Sequence, residues 1–302
     1  MKKRRLGKSD LQVTELGLGC MSLGTDKNHA QKIIEATLDE GINYFDTADL
    51  YDFGVNEEIV GQALKSVRDQ VIIATKVGNR WNKQKDGWSW DPSKAYIKEA
   101  VKQSLKRLDT DYIDLYQLHG GTIEDNIDET IEAFEELREE GFIRYYGISS
   151  IRPNVIREYV EKSNIVSVMM QYSILDRKPE EEALPLLHDN NISVVTRGSV
   201  AKGLLSDRAL EKLSKGYLEH SSEELKEIIQ GLQEKVDYSR SLTEVALRYN
   251  LAHPAVASVI VGASSVEQIQ ANAKAVNSTP LTTAEISLIQ EIAKAHTYPA
   301  HR

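Results

Sequence analysis

The chain has 302 residues, and its 37 basic and 46 acidic residues leave a formal net charge of −9 at pH 7. This acidic balance argues against nucleic acid as the main partner, because phosphate contacts need a clustered basic face and basic residues cluster only at 2–5. Hydrophobic residues make up 41% and charged residues 27%, which excludes a disordered or low-complexity chain.

The sequence also bears on location and redox chemistry. No stretch approaches 18 uncharged apolar residues, so we expect no membrane span. The basic residues at 2–5 are followed by charged sequence rather than by the apolar segment of a signal peptide, which predicts a cytoplasmic protein. Cys20 is the only cysteine, which excludes an intramolecular disulfide and every multi-cysteine metal motif.

Eight short apolar runs bounded by turn signals predict β-strands. Most of them are continuous rather than alternating in hydrophobicity, which is typical of parallel strands buried on both faces. The predicted strands are Leu16–Cys20, Ile42–Asp46, Val71–Thr75, Ile113–Leu118, Arg144–Ile148, Val166–Gln171, Ile192–Thr196 and Ala257–Val261.

Amphipathic stretches of helical period alternate with these strands. Ser93 and Asp125 are start signals for the third and fourth helices, and Gly41 and Gly141 are end signals for the first and fourth. Eight strand–helix units in about 260 residues predict a closed (β/α)8 TIM barrel, with residues 1–302 as a single domain. The predicted helices span 28–40, 56–66, 94–107, 125–140, 153–162, 179–189, 241–252 and 266–275.

Three segments lie outside the eight units. Residues 2–14 predict an N-terminal hairpin that closes the bottom of the barrel. Residues 199–240 form a long loop after the seventh strand, with an extra helix near 222–236, and residues 282–295 predict an extra C-terminal helix. Since long loops at the C-terminal face of a barrel usually serve ligands, we expect the 199–240 loop to border a binding site.

Polar side chains stand at the ends of three adjacent predicted strands. Asp46 ends the second strand and is followed by Tyr51, Lys76 follows the third strand, and His119 follows the fourth. Barrel active sites are built at these strand ends, so we expect the four side chains to converge. Each residue alone has an ordinary structural explanation, such as a cap or a solvated strand end. Only their joint arrangement favours a functional site.

The four side chains suit proton transfer to a carbonyl oxygen. A tyrosine hydroxyl, with an unperturbed pKa near ~10, is a poor acid at neutral pH unless a neighbouring cation favours its ionised form. Lys76 would supply that cation and Asp46 would hold the ammonium in place. His119 would donate to the carbonyl oxygen and orient it. These roles predict acid–base chemistry on a small-molecule carbonyl compound.

The sequence resembles the aldo-keto reductases over essentially the whole chain. The matching segments are GINYFDTADLY at 41–51, ATK at 74–76, LYQLH at 115–119, GIS at 147–149, QYS at 171–173, AKGLL at 201–205 and VIVGASSVEQIQAN at 259–272. The resemblance implies reduction of an aldehyde or ketone with NADPH as cofactor. It also implies that Asp46, Tyr51, Lys76 and His119 are the catalytic tetrad.

The resemblance further implies how NADPH is held without a Rossmann domain. Ser149, Ser150 and Gln171 align with residues that hydrogen-bond the nicotinamide carboxamide. The 197–205 loop would cover the pyrophosphate, and the residues expected to contact the cofactor there are Arg197, Gly198, Val200, Lys202 and Gly203. At the adenosine end, a glycine turn leads into a helix N-terminus suited to a phosphate. The residues expected there are Gly262, Ser264, Gln268 and Asn272.

The chain departs from the family pattern near the expected cofactor. Arg197 stands where many members have an aromatic residue stacked on the nicotinamide, and Ala271 replaces a common glutamate. The Arg197 guanidinium would either stack on the nicotinamide or reach a phosphate oxygen. Ser264 and Gln268 are weaker partners for a ribose phosphate than Arg or Lys, although NADPH remains the expected cofactor.

Other functions fit parts of the pattern. A barrel glycosidase would use paired acids such as Asp46 and Asp49, but it leaves Lys76 and the 262–272 segment unexplained. A regulatory subunit would keep the fold and bind the cofactor as a sensor, as in relatives that attach to membrane channels, but the intact tetrad argues against it. Only His119 among seven histidines ends a predicted strand and no His-x-His occurs, so we expect no metal site.

The substrate pocket is expected to use Met21 and three tryptophans, Trp81, Trp88 and Trp90, that follow the third strand. The tryptophans would form either an aromatic wall at the barrel mouth or a cluster that packs the loop. No exposed apolar stripe stands out in the sequence, so we expect a monomer.

Overall fold

The computed structural model describes all residues except 208, 210–212, 214, 215, 237 and 238. The strands are β1 (Lys3–Arg5), β2 (Gln12–Thr14), β3 (Leu16–Gly19), β4 (Tyr44–Asp46), β5 (Ile72–Val77), β6 (Asn79–Trp81), β7 (Trp88–Trp90), β8 (Ile113–Leu118), β9 (Ile143–Ser149), β10 (Ser167–Gln171), β11 (Ser193–Arg197) and β12 (Val256–Gly262). Within the described residues, eight parallel strands close a barrel in the order β3-β4-β5-β8-β9-β10-β11-β12. This architecture confirms the predicted (β/α)8 barrel.

Ten α-helices occur in the described part of the chain, and the amphipathic stretches of the sequence predict all of them. A helix follows each barrel strand and covers the barrel, while α7 (Ser222–Lys235) and α10 (Thr283–Ile292) are additions. The helices are α1 (Lys27–Asp39), α2 (Val55–Leu64), α3 (Lys94–Leu108), α4 (Ile127–Glu139), α5 (Pro153–Lys162), α6 (Ala183–Asp189), α7 (Ser222–Lys235), α8 (Leu242–Ala252), α9 (Val266–Asn277) and α10 (Thr283–Ile292).

Helix boundaries follow the predicted signals with one correction. The Ser93 hydroxyl caps α3 by accepting from the Tyr96 amide, and Gly41 adopts a φ of +71° after α1. Asp125 was expected to begin α4, but Asn126 is the capping residue there. The Asp125 carboxylate accepts instead from the Trp90 indole at 3.0 Å, because it faces the β6–β7 hairpin.

The N-terminal hairpin closes the amino-terminal end of the barrel, as predicted. β1 and β2 pair antiparallel, and Leu6, Leu11 and Val13 are buried against side chains of the barrel interior. Tyr44 and Val195 belong to the same cluster, so one apolar plug fills this end. The opposite end of the barrel is therefore the end left for polar side chains.

The additions at the C-terminal half also follow the prediction. A capping box at Ser221 and Glu224 begins α7, and a second one at Thr282 begins α10. The two added helices pack closely, with Gly231 facing the Ile292 side chain. None of the helices in the described residues has the length and apolar character needed to cross a bilayer.

Candidate active site

The structure brings the four predicted strand-end side chains together. Asp46 is the last residue of β4, Lys76 lies near the end of β5, and His119 directly follows β8. Tyr51 begins a short turn after β4. The Lys76 Nζ lies 2.7 Å from Asp46 Oδ2 and 3.4 Å from the Tyr51 hydroxyl. The rings of Tyr51 and His119 meet edge to face at 5.9 Å between centroids.

Lys76 is held as a buried cation. Its side chain is 1% exposed, and Nζ also donates to the Thr47 carbonyl oxygen at 2.7 Å. Burial works against the charge, but Asp46 and Tyr51 favour it more strongly and raise the pKa of Lys76 above its ordinary value. The Asp46 carboxylate also accepts from the Gln117 amide at 3.5 Å. The ammonium therefore stays charged and fixed beside the tyrosine hydroxyl.

His119 is neutral at physiological pH. Burial, with help from the positive charges of Lys76 and Arg197, lowers its pKa to about 3. Its Nδ1 is buried and has no hydrogen-bond partner among the described residues. A neutral imidazole donates through one nitrogen and accepts through the other, so His119 can hydrogen-bond an uncharged oxygen without carrying charge itself.

A cavity of about 760 Å³, the mouth cavity, opens beside Tyr51 and His119. Met21 lines it as expected and is 65% exposed. Of the described residues that line it, none is a tryptophan. The rings of Trp81 and Phe53 pack with 6.1 Å between their centroids, and the Trp90 ring packs over Gly78. Of the two alternatives, Trp81 and Trp90 therefore follow the loop-packing one, while Trp88 is 59% exposed.

A second cavity of about 740 Å³, the loop cavity, lies between the loop after β11 and the start of α9. Among its described lining residues are six predicted cofactor contacts: Val200, Lys202, Gly203, Gly262, Gln268 and Asn272. Ser264 does not line the cavity, but its amide donates to Gln268 Oε1 at 2.8 Å. A Cβ at Gly262 would lie 2.8 Å from the Ser22 hydroxyl, so glycine allows Ser22 to pack closely against the backbone here.

The residues predicted for the nicotinamide lie at the mouth cavity or beside it. Ser149, Ser150 and Arg197 line it. Arg197 Nη1 donates a hydrogen bond to Gln171 Oε1 at 3.1 Å, and the Gln171 amide nitrogen donates to the Asp176 carboxylate at 2.8 Å. Gly198, with a φ of +71°, turns the chain from Arg197 toward the loop cavity.

Several lining residues were absent from the sequence prediction. Asn79, Arg152 and the C-terminal residues 298–301 line the mouth cavity. Glu267, in the first turn of α9, lines the loop cavity and could have been found from the helix-start signal at Ser265. Asn79 in β6, Arg152 and the C-terminal residues carry no such signal. The other residues at the loop cavity that were not predicted as cofactor contacts are Ser206, Asp207, Ser241, Thr243, Val261, Ser265 and Ala271.

The fold and site together define a class of protein. A (β/α)8 barrel that places a buried lysine–aspartate pair, a tyrosine and a neutral histidine at its mouth has the features of a barrel enzyme with acid–base chemistry. The family described as "Aldo/keto reductase family" matches residues 15–294. The chain belongs to this family, and its oxidoreductase class follows from that membership.

Similar proteins carry related descriptions. An "Uncharacterized oxidoreductase YqkF" of Bacillus subtilis is 62% identical, and the match covers 100% of both chains. An "NADH-specific methylglyoxal reductase" of Escherichia coli is 33% identical over 98% of this chain and 99% of its own. Among solved structures, the holo form of "aldo-keto reductase AKR11C1 from Bacillus halodurans" superposes with a TM-score of 0.96. It is 62% identical, covering 100% of this chain and 99% of that one.

Proposed function

We propose that the protein is an NADPH-dependent reductase that converts an aldehyde or ketone to an alcohol, with Tyr51 as the general acid. The observation that carries the proposal is the Tyr51 hydroxyl, which lies 3.4 Å from the buried, charged Lys76 at the edge of the mouth cavity. When bound, NADPH supplies the hydride that the carbonyl carbon receives. The substrate we propose is a small molecule that fits the mouth cavity.

Each member of the tetrad has a distinct task in this proposal. Tyr51 donates its hydroxyl proton to the substrate oxygen, and the Lys76 ammonium stabilises the phenolate that remains. Asp46 keeps the ammonium in place through their 2.7 Å contact. The neutral His119 donates to the substrate oxygen and orients it, so that negative charge developing there meets two donors. The burial of Lys76 strengthens these interactions because water screens them less.

The residues present fit a nicotinamide dinucleotide. The mouth cavity provides polar groups of Ser149, Ser150 and Arg197 for the nicotinamide end. The loop cavity brings Lys202 and the N-terminal turn of α9 together for the phosphate and adenosine end. The holo form of a relative at 62% identity supports a bound cofactor. The choice of NADPH over NADH rests on the sequence resemblance.

The test is oxidation of NADPH, followed by nicotinamide absorbance, in the presence of a panel of reactive aldehydes and diketones. Tyr51→Phe should lower kcat by about 10²- to 10⁴-fold, the usual contribution of a general acid, while NADPH binding stays nearly intact. Tyr145→Phe makes the same chemical change near the N-terminal hairpin, where the hydroxyl accepts from the Asp10 amide, and should leave kcat unchanged. Retained turnover in Tyr51→Phe would refute the assigned role.

Three predictions from the sequence complete the proposal. We retain residues 1–302 as a single domain, a monomer as the state in solution, and the cytoplasm as the location. For a single domain, we expect limited proteolysis to leave one stable core. For a monomer, we expect sedimentation at the mass of one chain, and for a cytoplasmic protein, recovery in the cytosolic fraction.

A further inference from the structure

The mouth cavity is rich in cations although the whole chain is acidic. Arg152, Arg197 and Lys178 line it, while Glu219 is the one acidic side chain among its described lining residues. Lys178 is neutralised within the protein, since Nζ lies 3.1 Å from Asp176 and 2.9 Å from Glu219. Two guanidinium groups therefore give the cavity a net positive lining.

Arg152 is fixed at the cavity but carries an unbalanced charge. Its backbone amide donates to the Ser150 hydroxyl at 3.2 Å, and one guanidinium nitrogen donates to the carbonyl oxygen of Gly121. Within the described residues its guanidinium forms no ion pair. Arg157 on α5, by contrast, pairs with Glu182. Because a guanidinium has five N–H donors, Arg152 keeps donors for a ligand.

The position of Arg152 associates it with the substrate rather than with the cofactor phosphates. The residues that line the loop cavity do not include Arg152, and the two cavities share no described lining residue. Gly121, which holds the guanidinium, lies two residues after His119 in the same loop. Arg152 thus stands on the His119 side of the mouth, where the substrate oxygen is expected under the proposed function.

We propose that Arg152 binds a carboxylate of the substrate, and that the physiological substrate is an aldehyde or ketone bearing a carboxylate a few atoms from the carbonyl group. This inference rests on the proposed reductase function. A guanidinium binds a carboxylate through two parallel hydrogen bonds, which fixes orientation as well as affinity. Arg152 immediately precedes the N-terminus of α5, whose dipole also favours an anion there.

The kinetic test compares a four-carbon aldehyde with a terminal carboxylate and butanal, its neutral counterpart, with NADPH as the reductant. In Arg152→Gln we expect kcat/KM for the carboxylate substrate to fall roughly 10- to 100-fold, the range for a hydrogen bond to a charged group, and kcat/KM for butanal to change less than about 3-fold. Arg157→Gln removes a charge from α5 outside the cavity and should change neither value. Equal losses for both substrates in Arg152→Gln would overturn the proposal.

A binding measurement separates this inference from the proposed function. Succinate carries carboxylates but no reducible carbonyl group, so its binding to the NADPH-loaded protein, measured by titration calorimetry, does not depend on turnover. We expect succinate to bind the wild type and to bind Arg152→Gln at least about 10-fold more weakly. Equal binding, or no binding to the wild type, would overturn the carboxylate site. Binding that depends on Arg152 without oxidation of NADPH by either aldehyde would support the site and overturn the reductase function.

Discussion

The mouth cavity and the loop cavity are nearly equal in volume but hold their polar side chains in different ways. At the mouth, Lys76 and Asp46 stand on barrel strands, are almost fully buried and contact each other at 2.7 Å. At the loop cavity, Lys202 and Gln268 are exposed, on a loop and on the first turns of α9. Asp46 and Lys76 are therefore fixed by the barrel itself, whereas the groups expected at the cofactor phosphates lie on surface segments.

This difference has an energetic basis. A buried ion pair is costly to form and more costly to break, because removal of one partner leaves the other charge unpaired away from water. An exposed cation keeps its hydration, so its replacement changes ligand binding more than folding. Substitutions of the buried pair should therefore affect stability and activity together, and substitution of an exposed side chain such as Gln268 should affect cofactor affinity more than folding.

The largest effect on stability is expected from Lys76→Met. The substitution leaves Asp46 buried without its cation, so the free energy of unfolding should fall by about 3–5 kcal/mol in chemical denaturation. The double variant Asp46→Asn/Lys76→Met leaves no buried charge and should lose less. Lys65→Met, which breaks the exposed pair with Asp109, is the control and should cost less than about 1 kcal/mol. If the unfolding free energy falls equally in the single and double variants, the unpaired charge of Asp46 is not the cause of the loss, and the prediction fails.

The next largest effect is expected on the pH dependence of the unfolding free energy, to which His119 contributes. Its pKa in the folded protein is about 3, below the ordinary value of 6.5, so the unfolded chain binds the extra proton between these pH values. The stability that His119 contributes is complete above about pH 6.5 and is lost as pH falls toward 3. His119→Asn should therefore flatten the decline in unfolding free energy between about pH 6 and 4, by up to about 1.4 kcal/mol per pH unit.

The control for this pH effect is His188→Asn. His188 is exposed on α6, so this variant makes the same substitution at the surface, and we expect it to keep the slope of the wild type. Urea denaturation at several pH values gives the three slopes. A His119→Asn slope equal to that of the wild type would mean that the imidazole is not buried as a neutral group.

The smallest effect is expected at the loop cavity. Gln268→Arg places a guanidinium where the ribose phosphate of NADPH is expected, and a charge-assisted hydrogen bond there should lower KM for NADPH by about tenfold. KM for NADH and the free energy of unfolding should stay nearly the same. Gln230→Arg on the exposed face of α7 adds the same charge elsewhere and serves as the control. An equal change for both cofactors in Gln268→Arg would place the ribose phosphate somewhere else.

Much of the fold was predictable because local rules are strong along this chain. Continuous apolar runs identify strands buried on both faces, and Gly41 and Gly141 mark helix ends where a positive φ is needed. The convergence of Asp46, Lys76 and His119 was predictable because barrel topology brings consecutive strand ends to one mouth. Their place at the end of a buried run was enough, whereas Tyr51 lies on a turn beyond its strand.

The remaining features depend on packing between distant segments. Arg152 joins the mouth cavity because its guanidinium meets a carbonyl oxygen 31 residues earlier in the chain. Asp125 faces away from α4 because its carboxylate accepts from the Trp90 indole, 35 residues earlier in the chain. The C-terminal residues 298–301 line the mouth cavity, and no local sequence pattern predicts this position. Composition and periodicity describe neighbours in sequence, and these contacts join residues far apart in it.

The most direct measurement of the central claim follows the hydride itself. NADPH deuterated at the transferable position of the nicotinamide is incubated with the protein and an aldehyde that it reduces, and the alcohol is analysed by mass spectrometry and proton NMR. We predict one deuterium on the carbinol carbon of the product, at a rate that Tyr51→Phe reduces by about 10²-fold or more. Alcohol that forms without deuterium on that carbon would contradict direct reduction of a carbonyl at the Tyr51 site.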